Sequence, residues 1–292
     1  FVFDHFSSDH SCVANQRNFL ELLGHRIICL PVENDGSISS EKVIELLSPY
    51  TKGTLLLNWT WVNNETGVVL PLSQAKEIKD KLNCLVHVDA VQTIGKISNW
   101  KETLTGLDFY TYSGHKFGAL KGTGFSFIKN TIKVCALLNG GGQQNGLRSG
   151  TENTWGIYSL KLAMEQVKSC EIEKVREARD LFESKLLSLL GEQGEVAGIK
   201  NPHRNANTTY FIIYDILAHT TAMAFDMAGF DLSNGSACSS GAVVPSRVLM
   251  GMGYSEVLAK SALRVSFSPQ TSKQDIEALW PSFEKVLKRF LS

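Results

Sequence analysis

The feature that most constrains this chain is the alternation of short apolar runs with helical stretches through its first half. Residues 12–23 carry a helical pattern that ends at Gly24. Residues 26–32 read as a strand, 39–47 as a helix capped by Ser39 or Ser40, and 53–62 as a buried strand. A helix over 72–82 follows Pro71, and strands at 84–90, 108–113 and 122–129 come next. Parallel strands need a crossover between them, so strand, helix and strand in short units predict an α/β fold with a mostly parallel sheet. Ligands of such sheets bind at the carboxyl ends of the strands. Asn63, Asn64, Asp89, Gln92, Ser113, His115 and Lys116 fall there.

The pattern changes in the second half. The glycine-rich segment 140–153 is a loop, and a long helical stretch over roughly residues 154–190 follows it. Beyond it the expected elements are a strand at 207–214, a helix at 217–228, a strand at 262–267 and an amphipathic terminal helix at 272–291. These predict a large domain over residues 1–172 and a smaller α+β domain over 173–292.

The composition narrows the partners. Lys plus Arg equals Asp plus Glu, 29 of each, and there is no basic run. Nucleic acid and anionic membrane are therefore not expected partners. No apolar run approaches the roughly 18 residues of a membrane span. The cysteines, Cys12, Cys29, Cys84, Cys135, Cys170 and Cys238, form no CxxC pair, so no metal site is expected. Cys29 and Cys84 lie in apolar runs and read as small core residues. The spacing argues against a disulfide framework, and the expected setting is reducing and cytoplasmic.

Three strand ends carry chemistry. Lys116 follows the strand that ends at Ser113, among small and aromatic residues. A lysine held there can form an imine if its amine is neutral, and burial lowers its pKa. A lone lysine is more often a surface-loop residue, but here Ser113, His115 and the flanking glycines could hold a phosphate. Asp89 ends an apolar strand, where a carboxylate is costly unless a cation needs it. A protonated pyridine nitrogen is such a cation; helix capping is the alternative. Gln92 could donate to a phenolic oxygen. Asn63 and Asn64 are either ligands of an oxygen or turn residues. Cys238 lies in LSNGSACSSGAVVPS, a run of glycine, serine and alanine that predicts an exposed, reactive thiol rather than a buried one.

The runs VNNETGV, HVDAVQT, YSGHKFGALKGTGF, GGGQQNGLRSGT and SNGSACSSG occur in one order along the chain. Together they resemble the class V aminotransferase-like cysteine desulfurases, pyridoxal-phosphate (PLP) enzymes of fold type I, and more closely the NifS/IscS branch. The likeness runs over residues 9–268. It implies that Lys116 is the Schiff-base lysine and moves the substrate's alpha proton. Asp89 then faces the pyridine nitrogen, and Gln92 the phenolic oxygen. Ser113 and His115 match phosphate ligands. Thr151 matches a threonine that reaches the phosphate of a neighbouring subunit, which implies a homodimer. Asn64 lies near the substrate carboxylate and the cofactor oxygen. His10 stacks on the ring and takes part in proton transfer, with His5 a weaker alternative. Arg264 clamps the substrate carboxylate, and Cys238 takes the sulfur as a persulfide.

The resemblance thus implies desulfuration of L-cysteine to alanine and delivery of sulfur to an acceptor protein, an iron–sulfur scaffold or a thiolation carrier. The GSAC run favours the IscS-like branch over the SufS-like one, whose RxGxxC motif is not present. Other class V chemistries, selenocysteine lyase or aminotransferase, are the competing readings, with a non-catalytic relative as a third. The family also carries a segment ahead of the His10 region, with a first helix and a glycine/threonine loop, and the resemblance implies that this sequence lacks it. Two departures stand out. GGGQQN replaces a more usual His-Glu pair after the glycines, and Trp59 and Trp61 precede Asn63 where smaller residues are usual.

Overall fold

The computed structural model describes residues 1–101, 106–234 and 244–291. Cys238 lies outside the described residues. The first half forms a six-stranded sheet from β1 (Val2–Phe6), β2 (Arg26–Leu30), β3 (Leu55–Thr60), β4 (Leu85–Asp89), β5 (Phe109–Ser113) and β6 (Gly124–Ile128). Its order is β2-β1-β3-β4-β5-β6, with all neighbours parallel except β5 and β6. Its helices are α1 (Ser11–Ala14), α2 (Arg17–Leu22), α3 (Ser40–Leu47) and α4 (Leu72–Leu82). Ser39 caps α3 by accepting from Lys42 N, and Asn83 ends α4 in the left-handed region.

Then come α5 (Thr154–Gln166) and α6 (Ser169–Leu190). A second sheet of order β7-β8-β10-β9 holds β7 (Gly194–Val196), β8 (Thr208–Ile213), β9 (Ser233–Asn234) and β10 (Ala262–Ser266), all paired antiparallel. The remaining helices are α7 (Ala218–Asp226), α8 (Arg247–Gly251), α9 (Glu256–Ala259) and α10 (Lys273–Leu287). Ser272 and Asp275 close a reciprocal capping box at the start of α10.

Three expectations are corrected. The helix over 154–190 is two helices, because Val167 and Lys168 both adopt extended backbone angles. The helix over 12–23 is likewise split into α1 and α2, around Asn15 and Gln16. Cys29 is exposed rather than in the core, since β2 is the edge strand; Cys84 is buried as expected.

The buried apolar residues form two main cores, and the larger one also takes in Tyr210, Ile212 and Ala262 from β8 and β10 of the second sheet. The larger one gathers Phe6, Leu57, Trp59, Trp61, Val86 and Val88, so both unusual tryptophans are structural, and Trp59 Nε1 donates to Leu70 O at 3.3 Å. The second centres on Phe182, whose ring lies 5.0 Å from Phe283, 5.4 Å from Phe267 and 5.8 Å from Trp280, centroid to centroid. The loop after β3 joins the halves. Asn205 N donates to Gly67 O at 2.8 Å, Val69 N donates to His203 O at 2.8 Å, and Ser246 Oγ donates to Glu65. Gly67 has φ +75°, and a side chain there would meet Asn205 Oδ1 at 2.5 Å, so only glycine allows this approach.

Candidate active site

The parallel register sorts the sheet into two faces. Asn58 pairs His87, Thr60 pairs Asp89, and Asp89 pairs Thr111. Side chains in register on parallel strands point the same way and alternate along each strand. One face therefore carries Asn58, Thr60, His87, Asp89, Thr111 and Ser113, all toward the carboxyl ends. The other carries Leu57, Val86, Val88 and Tyr110.

The polar face is tied into one hydrogen-bonded chain. Asp9, just past β1, accepts from Thr60 Oγ1 at 2.6 Å, Asn58 Nδ2 at 2.8 Å and Phe6 N at 3.1 Å. Asn58 Oδ1 accepts from His87 Nδ1 at 2.7 Å, and His87 Nε2 meets Thr111 Oγ1 at 2.9 Å. Burial holds His87 below the usual imidazole range, which suits a neutral ring with one donor and one acceptor nitrogen. Burial pushes Asp9 up to about 7, while the three donors hold it down and the Asp89 charge raises it slightly. Asp89 also raises Cys12, after burial, so the end of β4 lies beside the loop that holds His10.

The two asparagines after β3 divide their roles. Asn63 is buried and makes the turn: its Oδ1 accepts from Glu65 N and Thr66 N, both at 3.0 Å, and its Nδ2 donates to Ser8 O. Asn64 faces a cavity of about 720 Å³. Gln92, Lys96, His115, Lys116 and Arg264 line the same cavity, at the junction of the two sheets. Arg264, on β10, crosses that junction and donates from Nη1 to Asn64 O at 2.8 Å, and its buried Nε has no protein partner among the described residues.

Lys116 sits on the short 3₁₀ turn Gly114–Phe117 that follows β5. Gly114 is required there, since a Cβ would meet Leu160 Cδ2 at 2.6 Å and Thr123 O at 3.1 Å. Lys116 is exposed on the cavity side and makes no ion pair among the described residues. Desolvation, with Arg264 adding a like charge, holds its ammonium below the usual lysine range. Ser113 Oγ and His115 Nδ1 share a hydrogen bond of 2.9 Å.

The remaining candidates lie around this cavity or apart from it. Asp89 Oδ1 accepts from Val91 N at 3.0 Å, shaping the turn that leads to Gln92. His10 is exposed and its Nδ1 accepts from Cys12 N at 3.2 Å, capping α1. His5 is buried within β1, with Nδ1 donating to Phe6 O. Thr151 is exposed and lines a separate surface hollow with Gly140, Gly141 and Ser149. Reading the sequence missed Lys96 and the Asp9–Asn58–His87 chain. Their signals were a second lysine four residues after Gln92, and the alternating polar pairs Asn58 and Thr60 on β3 and His87 and Asp89 on β4.

Comparison with known proteins identifies the family and the fold. The family model for class V aminotransferases matches residues 5–279. Cysteine desulfurase IscS of Clostridium botulinum is 32% identical over 286 residues, covering 96% of this chain and 70% of that protein. Cysteine desulfurase 2 of Trichormus variabilis is 32% identical over 283 residues, with the same coverage of 96% and 70%. A NifS-like protein from Rickettsia africae superposes with a TM-score of 0.84 at 28% identity, over 98% of this chain and 75% of that one. Another NifS-like structure gives 0.86 at 27% identity, with the same coverage of 98% and 75%. In fold and in sequence, the chain belongs to the class V aminotransferase family.

Proposed function

We propose that this chain is a PLP-dependent cysteine desulfurase. The observation that carries this reading is the meeting of Lys116, Gln92, Asn64, His115 and Arg264 around one cavity at the carboxyl ends of a parallel sheet. The donor set fits an anionic, oxygen-rich cofactor and a substrate carboxylate: the amines of Lys96 and Lys116, the guanidinium of Arg264 with its unpartnered Nε, and the amides of Asn64 and Gln92.

PLP, when bound, supplies an electron sink for the charge left by loss of the substrate's alpha proton. Lys116 would hold the cofactor's aldehyde carbon and, once displaced, carry that proton. Its suppressed pKa favours the neutral amine both tasks need. Asp89 would keep the ring nitrogen protonated, with His10 over the ring. Gln92 and Asn64 would donate to the phenolic oxygen, and Ser113 and His115 would bind the phosphate. Arg264 and Asn64 would orient L-cysteine by its carboxylate. Cys238 would take the sulfur: the substrate C–S bond breaks, an S–S bond forms on Cys238, and L-alanine leaves with the third methyl hydrogen. Thr151, away from this cavity, would serve the site of a second copy in a homodimer. We read a large domain over residues 1–172 and a small one over 173–292, parting within α6 close to where the second core begins at Ile172.

Among the described residues, no helix is long and apolar enough to cross a membrane. The proposed setting is a reducing cytoplasm, and the proposed acceptor is an iron–sulfur scaffold or thiolation carrier. The test is direct. Protein loaded with PLP should gain a visible absorption band that Lys116→Ala lacks, and with L-cysteine and a thiol reductant should release sulfide and alanine in equal amounts. No PLP uptake, or loss of the amino group without sulfide, would overturn the proposal.

A further inference from the structure

Lys96 lines the same cavity as Lys116 and Arg264 but, unlike them, carries no individual role in the proposed reaction. Its backbone is fixed from two sides. Lys96 N donates to Thr93 O at 3.0 Å, and Ala206 N, from the second half, donates to Lys96 O at 3.0 Å. Ile94 and Ile97, on either side, are buried in the larger core. The side chain is half-buried and makes no ion pair among the described residues. Glu171, the carboxylate on the cavity wall, lies 3.9 Å from Lys168 instead. Among the described residues, the one hydrogen bond of the Lys96 ammonium runs to Gln92 Oε1. Burial, then the like charges of Lys116 and Arg264, push Lys96 down to about 7. A surface lysine kept for solubility would not be placed among other cations.

We propose that Lys96 is a positioning residue that fixes the orientation of the Gln92 amide. The reasoning is one of donors and acceptors. Below about pH 7, where Lys96 is an ammonium group, it only donates, so it can accommodate the oxygen of the Gln92 amide but not its NH₂. With Oε1 held by Lys96, the NH₂ group is left to face the cavity. A flipped amide would set NH₂ against NH₃⁺ and present an acceptor to the cavity. Nothing else at the Gln92 side chain fixes this choice among the hydrogen bonds of the described residues. This inference rests on the reading of Gln92 as a donor to an oxygen of the cofactor: Lys96 decides whether that contact attracts or repels.

A double-mutant cycle tests it, read as the equilibrium dissociation constant for PLP. Lys96→Met keeps the length of the side chain and removes the donor; Lys96→Arg keeps a cationic donor. Lys96→Met and Gln92→Ala should each weaken PLP binding about 5-fold, the scale of one hydrogen bond, and the double variant should bind no more weakly than Gln92→Ala. Lys96→Arg should restore most of the loss. Full additivity in the double variant overturns the proposal, since Lys96 would then act independently of Gln92. A second readout needs no cofactor. In PLP-free protein labelled with ¹⁵N, the Gln92 side-chain amide signals should move in Lys96→Met and stay near their original place in Lys96→Arg. Unmoved signals in Lys96→Met overturn the inference. A protein that takes up no PLP sinks the desulfurase reading, and the amide signals then judge the Lys96–Gln92 contact alone.

Discussion

Replacing Asp4 by asparagine should stabilise this protein, and by more as the pH rises. Asp4 is in register with Ile28 on β2 and Leu57 on β3, on the apolar face of the sheet, and it is fully buried. Neither carboxyl oxygen has a hydrogen-bond partner among the described residues. Burial alone pushes its pKa from 3.8 up to about 8. A folded-state value above the unfolded one means that the folded chain binds the extra proton between those two pH values. Stability contributed by the protonated group is whole below about pH 4 and is lost as pH rises toward 8, by about 1.4 kcal/mol per unit. At about pH 7 the accumulated cost is about 4 kcal/mol, a large share of the roughly 5–15 kcal/mol that holds a domain together. The amide of Asp4→Asn has the size of the protonated acid and no proton to lose. Asp9 shifts in the same direction, up to about 7, but it is present in both proteins and cancels in the difference. Urea unfolding followed by the fluorescence of the buried Trp59 and Trp61 gives the measurement. The advantage of Asp4→Asn should grow by about 4 kcal/mol between about pH 4 and pH 7. A difference that stays flat across that range would refute the reasoning, since Asp4 would then titrate as it does in the unfolded chain.

Three further outcomes follow from the site. Asp9→Ala strands the donors of Thr60, Asn58 and Phe6; at about 1–3 kcal/mol per unsatisfied donor, and with the Thr60 hydroxyl free to turn, unfolding free energy should fall by about 3 kcal/mol. A loss under about 1 kcal/mol in urea would mean that the network relaxes around the gap. Arg264→Lys should raise the KM for L-cysteine at least about 10-fold with a smaller effect on kcat, because an ammonium cannot offer the two parallel donors of a guanidinium; an unchanged KM would remove Arg264 from carboxylate binding. The rate of PLP capture should rise with pH as neutral Lys116 appears, and Arg264→Met should move that rise to higher pH, since Arg264 is the like charge that helps burial suppress the ammonium. A profile that does not move would leave desolvation as the whole cause.

The fold was largely legible because its signals are local. Apolar runs, Ser39 as a cap and the break at Asn83 name their elements without tertiary information. Two of the three misreadings have their cause in contacts made far along the chain. Residues 154–190 hold no glycine apart from Gly156 and no proline to announce a break. The extended pair Val167–Lys168 is instead fixed where the chain passes the cavity, with Val167 packed 3.7 Å from the Cβ position of Gly95. Cys29 sits in an apolar run, yet its exposure follows from β2 being the edge strand, and that is decided by strand order. For the site, strand-end position found Asn64, Gln92, His115 and Lys116. It could not separate Asn63 from Asn64, because only the turn shows that Asn63 spends its oxygen on Glu65 and Thr66.

The same turn explains how residues of both halves come to line one cavity. Asn63 shapes the loop after β3, and Gly67 lets that loop approach Asn205 closely enough for a main-chain bond. The loop then presents Asn64 O to Arg264, which arrives on β10 from the second sheet. That carbonyl takes one guanidinium donor and orients the rest of the fork, whose buried Nε has no protein partner among the described residues. Lys116, the candidate Schiff-base lysine, thus follows a strand of the first sheet, while Arg264, the candidate carboxylate ligand, stands on β10 of the second. The loop after β3 holds Arg264 through Asn64 O, and the short turn after β5 carries Lys116. A bound carboxylate would add contacts to Arg264 while it neutralises the charge that suppresses Lys116. Lys116 would then become more basic as the substrate seats, the direction an amine needs if it is to pick up a proton from that substrate.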